Sequence, residues 1–186
     1  MCIETYIDRG QDGRNWYKDT NEMLKTRFGS DADLAANLLA ATSIMASIPA
    51  NETLFLKAWT ILKHDLPIKG FLPVMAMQIE HIKAGREISG RKIRNFTAAL
   101  KGDLDAVVVD RWMMRAFDRT TEKNKDRPTK KDYDYIEQEI IKLAVGTGDT
   151  PSDVQAMIWV GIRKVEQALY AQTRYGSIYQ YKLFEN

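Results

Sequence analysis

Ile88 to Phe117, ISGRKIRNFTAALKGDLDAVVVDRWMMRAF, is the stretch that decides how this chain reads. Gly90-Arg91-Lys92 stands at the head of an amphipathic helix, near Ser89, whose apolar positions Ile93, Phe96 and Leu100 recur at helical spacing before Gly102 ends it. The short apolar run Ala106 to Val109 then delivers one acidic residue, Asp110, to the start of another helix, with Trp112, Met113, Ala116 and Phe117 on its apolar side. A carboxylate beside three valines is costly to bury unless something pairs or uses it. Asp110 is therefore the leading candidate for a functional side chain. Its plainer role is a helix N-cap, which aspartate fills readily, and the two roles are compatible.

Helical periodicity continues on both sides. Leu34, Leu38, Ala41, Met45 and Ile48 step by three and four residues, with Ser30 as the expected N-cap and Asp31 and Asp33 in the first turn, where the helix dipole favours negative charge. Asn51 is the expected cap of a following helix with the face Phe55, Trp59 and Leu62, punctuated by Pro49 and Pro67. Leu72 to Lys83 reads as the next helix, stopped by Gly85. Downstream, Arg119 to Lys131 carries no large apolar residue and reads as an exposed loop. Thr129 is placed to cap a helix with Ile136, Ile140 and Leu143 on one side. Thr150-Pro151-Ser152-Asp153 is a strong helix start, followed by Val154, Ile158, Val165 and Leu169. The tyrosine-rich tail from Tyr170 is unassigned. Ala106 to Val109 is the one strong strand candidate, and it is too short to found a sheet. The expected architecture is all-α, a single compact multi-helix domain over residues 1–186 with its core at about 31–170, built from about seven to nine helices.

With 45% hydrophobic and 28% charged residues, the chain reads as globular and not disordered. A formal charge of +2, from 27 basic and 25 acidic residues, does not announce a nucleic-acid binder. Any such site must come from local clustering, and the best cluster is Lys83, Arg86, Arg91, Lys92 and Arg94 at a helix N-terminus, where phosphate binding is favoured. One cysteine, Cys2, and two histidines, His64 and His81, rule out an internal disulfide and a cysteine-rich metal site, so neither metal nor cofactor is expected. No run approaches the ~18 apolar residues of a membrane span, and the N-terminus carries no hydrophobic signal segment. The expectation is an intracellular, cytoplasmic protein without a membrane partner. Nothing in the sequence fixes its oligomeric state.

The arrangement from Lys92 to Asp110 resembles the helix-hairpin-helix base-excision DNA glycosylases. In that family a hairpin of the type L-P-G-V-G-R-K-T-A leads into a helix, and a loop delivers V-D-x-H-h-x-R with the catalytic aspartate at the head of the next. Gly90-Arg91-Lys92 is similar to the G-R-K, and Val109-Asp110-Arg111-Trp112-Met113-Met114-Arg115 to the aspartate motif. Lys92 precedes Asp110 by 18 residues, the family's lysine-to-aspartate separation. Leu38 to Ser43, followed by Asn51 to Leu62, looks like the family's early helix, loop and helix, and Ile158 to Arg163 is similar to a late helix. The resemblance covers roughly Ala35 to Arg163. Glu87-Ile88-Ser89-Gly90 lacks one of the two hairpin glycines, Trp112 stands where the motif has histidine, and the absence of a C-terminal cysteine cluster excludes the iron–sulfur branch.

The resemblance implies a helix-hairpin-helix glycosylase fold in a divergent member of the superfamily, a phage-type member among the options. It implies hydrolysis of the N-glycosidic bond of a damaged or modified base, with duplex DNA carrying an extruded base as the partner. Asp110 would stabilise the oxocarbenium-like sugar or activate a water. Lys92 would either attack the sugar carbon as an amine, adding strand cleavage through a Schiff base, or hold a phosphate as a point charge. Ser89, Gly90, Arg91, Arg94, Arg111 and Arg86 would contact DNA. Thr42 and Ser43 would fill the gap left by the extruded base, and Trp112 would line its pocket. Two other readings stay open. One is a glycosylase-related enzyme that modifies DNA bases by group transfer, as relatives acting on phage DNA are thought to do. The other is a non-catalytic helical DNA- or protein-binding protein, which the near-neutral charge favours.

Overall fold

The structure, a computed structural model, describes residues 2–122 and 127–173, with side chains as far as residue 167. Among the described residues all regular structure is helical, with nine α-helices, two 3-10 turns and no strand. The chain groups into two compact units. The first takes the residues up to Asp19 and again from Gly102 onward, and the second takes Thr20–Lys101. In order, the helices are α1 (Ile3–Arg9), α2 (Trp16–Phe28), α3 (Ala32–Thr42), α4 (Ile48–Lys63), α5 (Pro73–Lys83), α6 (Arg91–Leu100), α7 (Arg111–Ala116), α8 (Lys130–Thr147) and α9 (Pro151–Thr173). The boundary between units falls inside α2.

The second unit is organised on α3. Ala35, Ala36, Leu38, Leu39, Ala40, Ala41 and Thr42 are all buried, and α4, α5 and α6 pack against this helix. A helix apolar on nearly every side must be covered on nearly every side. Two sequence expectations are corrected here. Ser30 is not the cap of α3: it lies exposed in the 3-10 turn Gly29–Asp31, and the helix starts at Ala32 without a side-chain cap bond. The apolar face does not run on to Ile48. The helix stops at Thr42, whose hydroxyl donates to Leu38 O at 2.9 Å, while the Ser43 hydroxyl donates to Ala40 O at 2.8 Å. Hydroxyls that take up helix carbonyls in this way compete with continuation of the ladder. Met45 then adopts φ 57° and is 76% exposed.

Asn51 is also not a cap. Ser47 caps α4 by accepting from Ala50 N at 3.4 Å, and Pro49 sits in the first turn, where a missing amide costs nothing. Asn51 instead ties α4 to the end of α3, its Nδ2 donating to Leu39 O at 3.2 Å and its Oδ1, 2.6 Å from the Thr42 hydroxyl, sharing that single proton with Leu38 O. On α4 the buried residues are Phe55, Ala58 and Ile61, and Trp59 packs on Phe28 with ring centroids 4.5 Å apart. The expected limits of α5 and α6 agree with the structure. Gly85, at φ 64°, ends α5 in a reversed turn closed by Arg86 N donating to His81 O at 2.8 Å.

The first unit buries Ile136, Ile140 and Ala144 of α8 against Val154, Met157, Ile158, Ile162 and Val165 of α9, with Met113 and Met114 of α7. Thr129 caps α8 as expected, in a reciprocal box with Asp132. Thr150 caps α9, its hydroxyl accepting from Asp153 N at 3.2 Å. The start of the chain, unassigned from sequence, packs on α9 with almost no room. A Cβ on Gly161 would lie 1.9 Å from Tyr6 O, and one on Gly10 would lie 1.8 Å from Met157 O. Ala106 to Val109 forms no strand but an extended connector with all three valines buried. Residues 123–126 of the expected exposed loop and the tail beyond residue 173 lie outside the described residues, as does the side chain of Leu169.

Candidate functional site

Asp110 is positioned by the connector before it. Tyr133 of α8 reaches back to that connector, its hydroxyl accepting from Val109 N at 3.2 Å and donating to Val107 O at 2.9 Å. The buried, extended segment thus satisfies its backbone through one side chain, as a buried segment outside regular structure must. Asp110 follows with extended angles and caps α7: Oδ1 accepts from Trp112 N at 2.8 Å and from Met113 N at 3.2 Å. Its other oxygen accepts from the indole Nε1 of Trp159, on α9, at 3.1 Å. A carboxylate offers about four lone-pair positions, so one on Oδ2 is left unoccupied by these three donors. Asp110 is half-buried.

Around it the aromatic and cationic groups interleave. The Arg163 guanidinium lies 4.4 Å over the Trp159 ring and 5.6 Å over the Trp112 ring. Arg115 lies 5.0 Å over Trp112 and pairs with Glu166 at 3.1 Å. On the buried side, Tyr17 donates to Gln155 Oε1 at 2.7 Å, and Gln155 Nε2 reaches Met113 Sδ at 3.8 Å. Burial, then the charge of Asp110 and the neighbouring Tyr133, push the Tyr17 hydroxyl well above its ordinary pKa, so it stays a neutral donor.

Gly90 precedes α6 at φ 92°, a left-handed angle suited to glycine, and offers no side-chain cap to the first-turn amides. Arg86 and Arg94 are exposed, while Arg91 and Lys92 are half-buried at the first two positions of α6. Lys83 belongs elsewhere. It pairs with Asp65 at 2.6 Å, and that hydrogen bond raises its pKa. The loop 84–90 is held by a residue that sequence reading missed. Gln78 of α5, only 2% exposed, accepts from Ser89 N at 2.9 Å and donates to Ser89 Oγ at 2.8 Å and Ser89 O at 3.1 Å.

The structure gathers Asp110, Arg111 and Trp112 in the first unit, with Arg111 exposed. It gathers Ser89, Gly90, Arg91, Lys92, Arg94, Arg86, Thr42 and Ser43 in the second. Thr42 is fully buried, its hydroxyl engaged as above, and Ser43 is half-buried. Among the described residues no cluster of metal-ligating side chains forms, and no helix is long and apolar enough to cross a membrane. An open pocket of about 650 Å³, lined by Asp118, Arg119 and Asp132 among others, lies at the C-terminal end of α7, away from Asp110. Trp159 and Tyr133 were not legible as partners of this site. The nearest signal was the segment Ile158 to Arg163, which contains both Trp159 and Arg163.

Fold and site define an all-helical protein with a carboxylate fixed at a helix N-terminus beside stacked tryptophans and arginines. The model of DUF7178, a family of unknown function, matches residues 5–166, and the chain belongs to that family. No curated protein and no solved structure matches it.

Proposed function

We propose that this protein is a DNA glycosylase of the helix-hairpin-helix type, hydrolysing the N-glycosidic bond of a damaged or modified base. The observation that carries the proposal is the setting of Asp110, a half-buried carboxylate held by two α7 amides and the Trp159 indole, with one lone pair of Oδ2 not taken by a donor among the described residues. Base release builds positive charge on the sugar. A carboxylate already oriented by fixed donors stabilises that charge without reorganising. Oδ2 can take the proton of the water that adds to the sugar carbon as the base leaves with the glycosidic electron pair. Trp112 lies beside Asp110 with the Arg115 and Arg163 guanidinium groups over its ring, and an extruded base would stack there by displacing one of them. In the second unit, the uncapped first turn of α6 with Arg91, Lys92 and Arg94 suits a DNA phosphate. Lys92 supplies a point charge there, or an amine if strand cleavage accompanies base release. The test is a labelled duplex or modified genomic DNA incubated with wild type and Asp110→Asn. Abasic sites from wild type alone support the proposal. No abasic sites with any DNA, or equal numbers from both proteins, reject it.

One observation favours a second reading. The Ser89 amide, in the loop whose amides would grip a phosphate, is spent on Gln78. That suits a relative that modifies bases by group transfer, or a binding protein without catalysis, better than it suits a full hairpin grip. Mass spectrometry of nucleosides from treated DNA separates them: a free base marks excision, an altered nucleoside marks transfer, and unchanged DNA marks binding alone.

A further inference from the structure

We infer that Trp159 is the positioning residue of Asp110, its indole N–H fixing the carboxylate so that the remaining lone pair of Oδ2 meets the reacting water. The inference rests on the reading of Asp110 as the acting carboxylate. Both α7 amides bond to Oδ1, at 2.8 and 3.2 Å. They anchor one oxygen and make no contact with the other. The bond from Trp159 Nε1 at 3.1 Å holds the other oxygen, so rotation about Cβ–Cγ is opposed at both oxygens. It comes from a residue 49 positions away, so this constraint is tertiary and adds to the local cap.

Tryptophan suits the task. An indole is a donor only and does not ionise in the range where a carboxylate titrates, so it never competes for the proton that Asp110 takes up. The ring is itself held, because Arg163 lies 4.4 Å over its face. A cation over an indole is the strongest of the ring–cation pairings.

Trp159→Phe keeps a flat ring and removes the donor. The expected result is a kcat for base release lowered about 10- to 100-fold with KM unchanged, as for loss of one hydrogen bond to a charged group. A second readout needs no activity. The Nε1–H resonance of Trp159, assigned by its absence in Trp159→Phe, moves with pH in wild type and stays still in Asp110→Asn. The other ionisable groups around the pair are Arg115, Arg163, Glu166, Asp118, Tyr133, Tyr17 and Tyr6. The carboxylates in this surround are Glu166 and Asp118, and Glu166→Gln and Asp118→Asn each leave the resonance shift in place if Asp110 is its source. A shift that persists in Asp110→Asn overturns the inference, and so does a wild-type kcat in Trp159→Phe. A resonance that follows Asp110 in a protein that releases no base supports the positioning contact and rejects the glycosylase reading.

Discussion

Asp110 caps α7 and, in the proposed function, is also the acting carboxylate; the chemistry of asparagine separates the two roles. Asparagine caps helices about as well as aspartate, so Asp110→Asn keeps the start of α7. It loses one acceptor, the oxygen facing Trp159. Stability is therefore expected to fall by no more than about 1.5 kcal/mol in urea denaturation, while base release falls at least ~100-fold, the usual worth of a positioned acid–base group. The cap was legible in the sequence because its partners lie two and three residues downstream. The bond to Trp159 was not, because neither residue type nor spacing tells which distant donor a carboxylate meets. Gln78 illustrates the same limit. A glutamine in an amphipathic helix reads as surface, yet it is buried and makes three bonds to Ser89.

Helix ends were the least legible elements. Ser30 and Asn51 carry the right side chains for caps, but Ser47 does that work for α4 and no side chain does it for α3. Capping residues and turn residues share the same chemistry, and the packing of α3 chooses between them. Thr129 with Asp132 was readable because two local signals agree. The carboxyl of Asp132 is held below its ordinary value, first by the Thr129 hydroxyl and also by the Thr129 amide and Arg119. A depressed carboxyl stabilises the fold fully above its unfolded pKa, and that contribution is lost as pH falls through the folded value. The urea midpoint of wild type should therefore drop between about pH 5 and pH 2 more steeply than that of Asp132→Asn. The crossing of α1 with α9 is stricter. A methyl at Gly161 would meet the backbone of Tyr6, which has no rotamer to yield. Gly161→Ala is expected to cost about 3 kcal/mol, the upper range for overpacking, read as a lowered denaturation midpoint with unchanged slope.

At the scale of the whole chain, the all-helical class was legible because apolar residues recur at helical spacing almost throughout. Residues 3–28 gave no such reading: what holds α1 is the close approach at Gly10, Gly13 and Gly161, which shows only in three dimensions. The charge balance also acts at this scale. With a formal charge of only +2, the molecule has little long-range attraction for DNA, so the proposed binding would depend on a few local cations. Each phosphate contact contributes about 0.9 to the slope of log affinity against log salt. The double variant Lys92→Gln, Arg94→Gln should lower that slope by about 2, measured by fluorescence anisotropy on a short duplex. An unchanged slope would move the DNA contact away from α6.

The interleaving of the two units sets an order of events at the ribosome. Among the described residues the second unit is one unbroken stretch, Thr20–Lys101, which can close as soon as it has left the exit tunnel. α1 ends at Arg9, but its partner α9 begins only at Pro151. At typical synthesis rates α1 waits on the order of ten seconds with its apolar side uncovered. A helix made well before its partner is thus late to find its place, and for that interval the nascent chain offers it to any chaperone within reach.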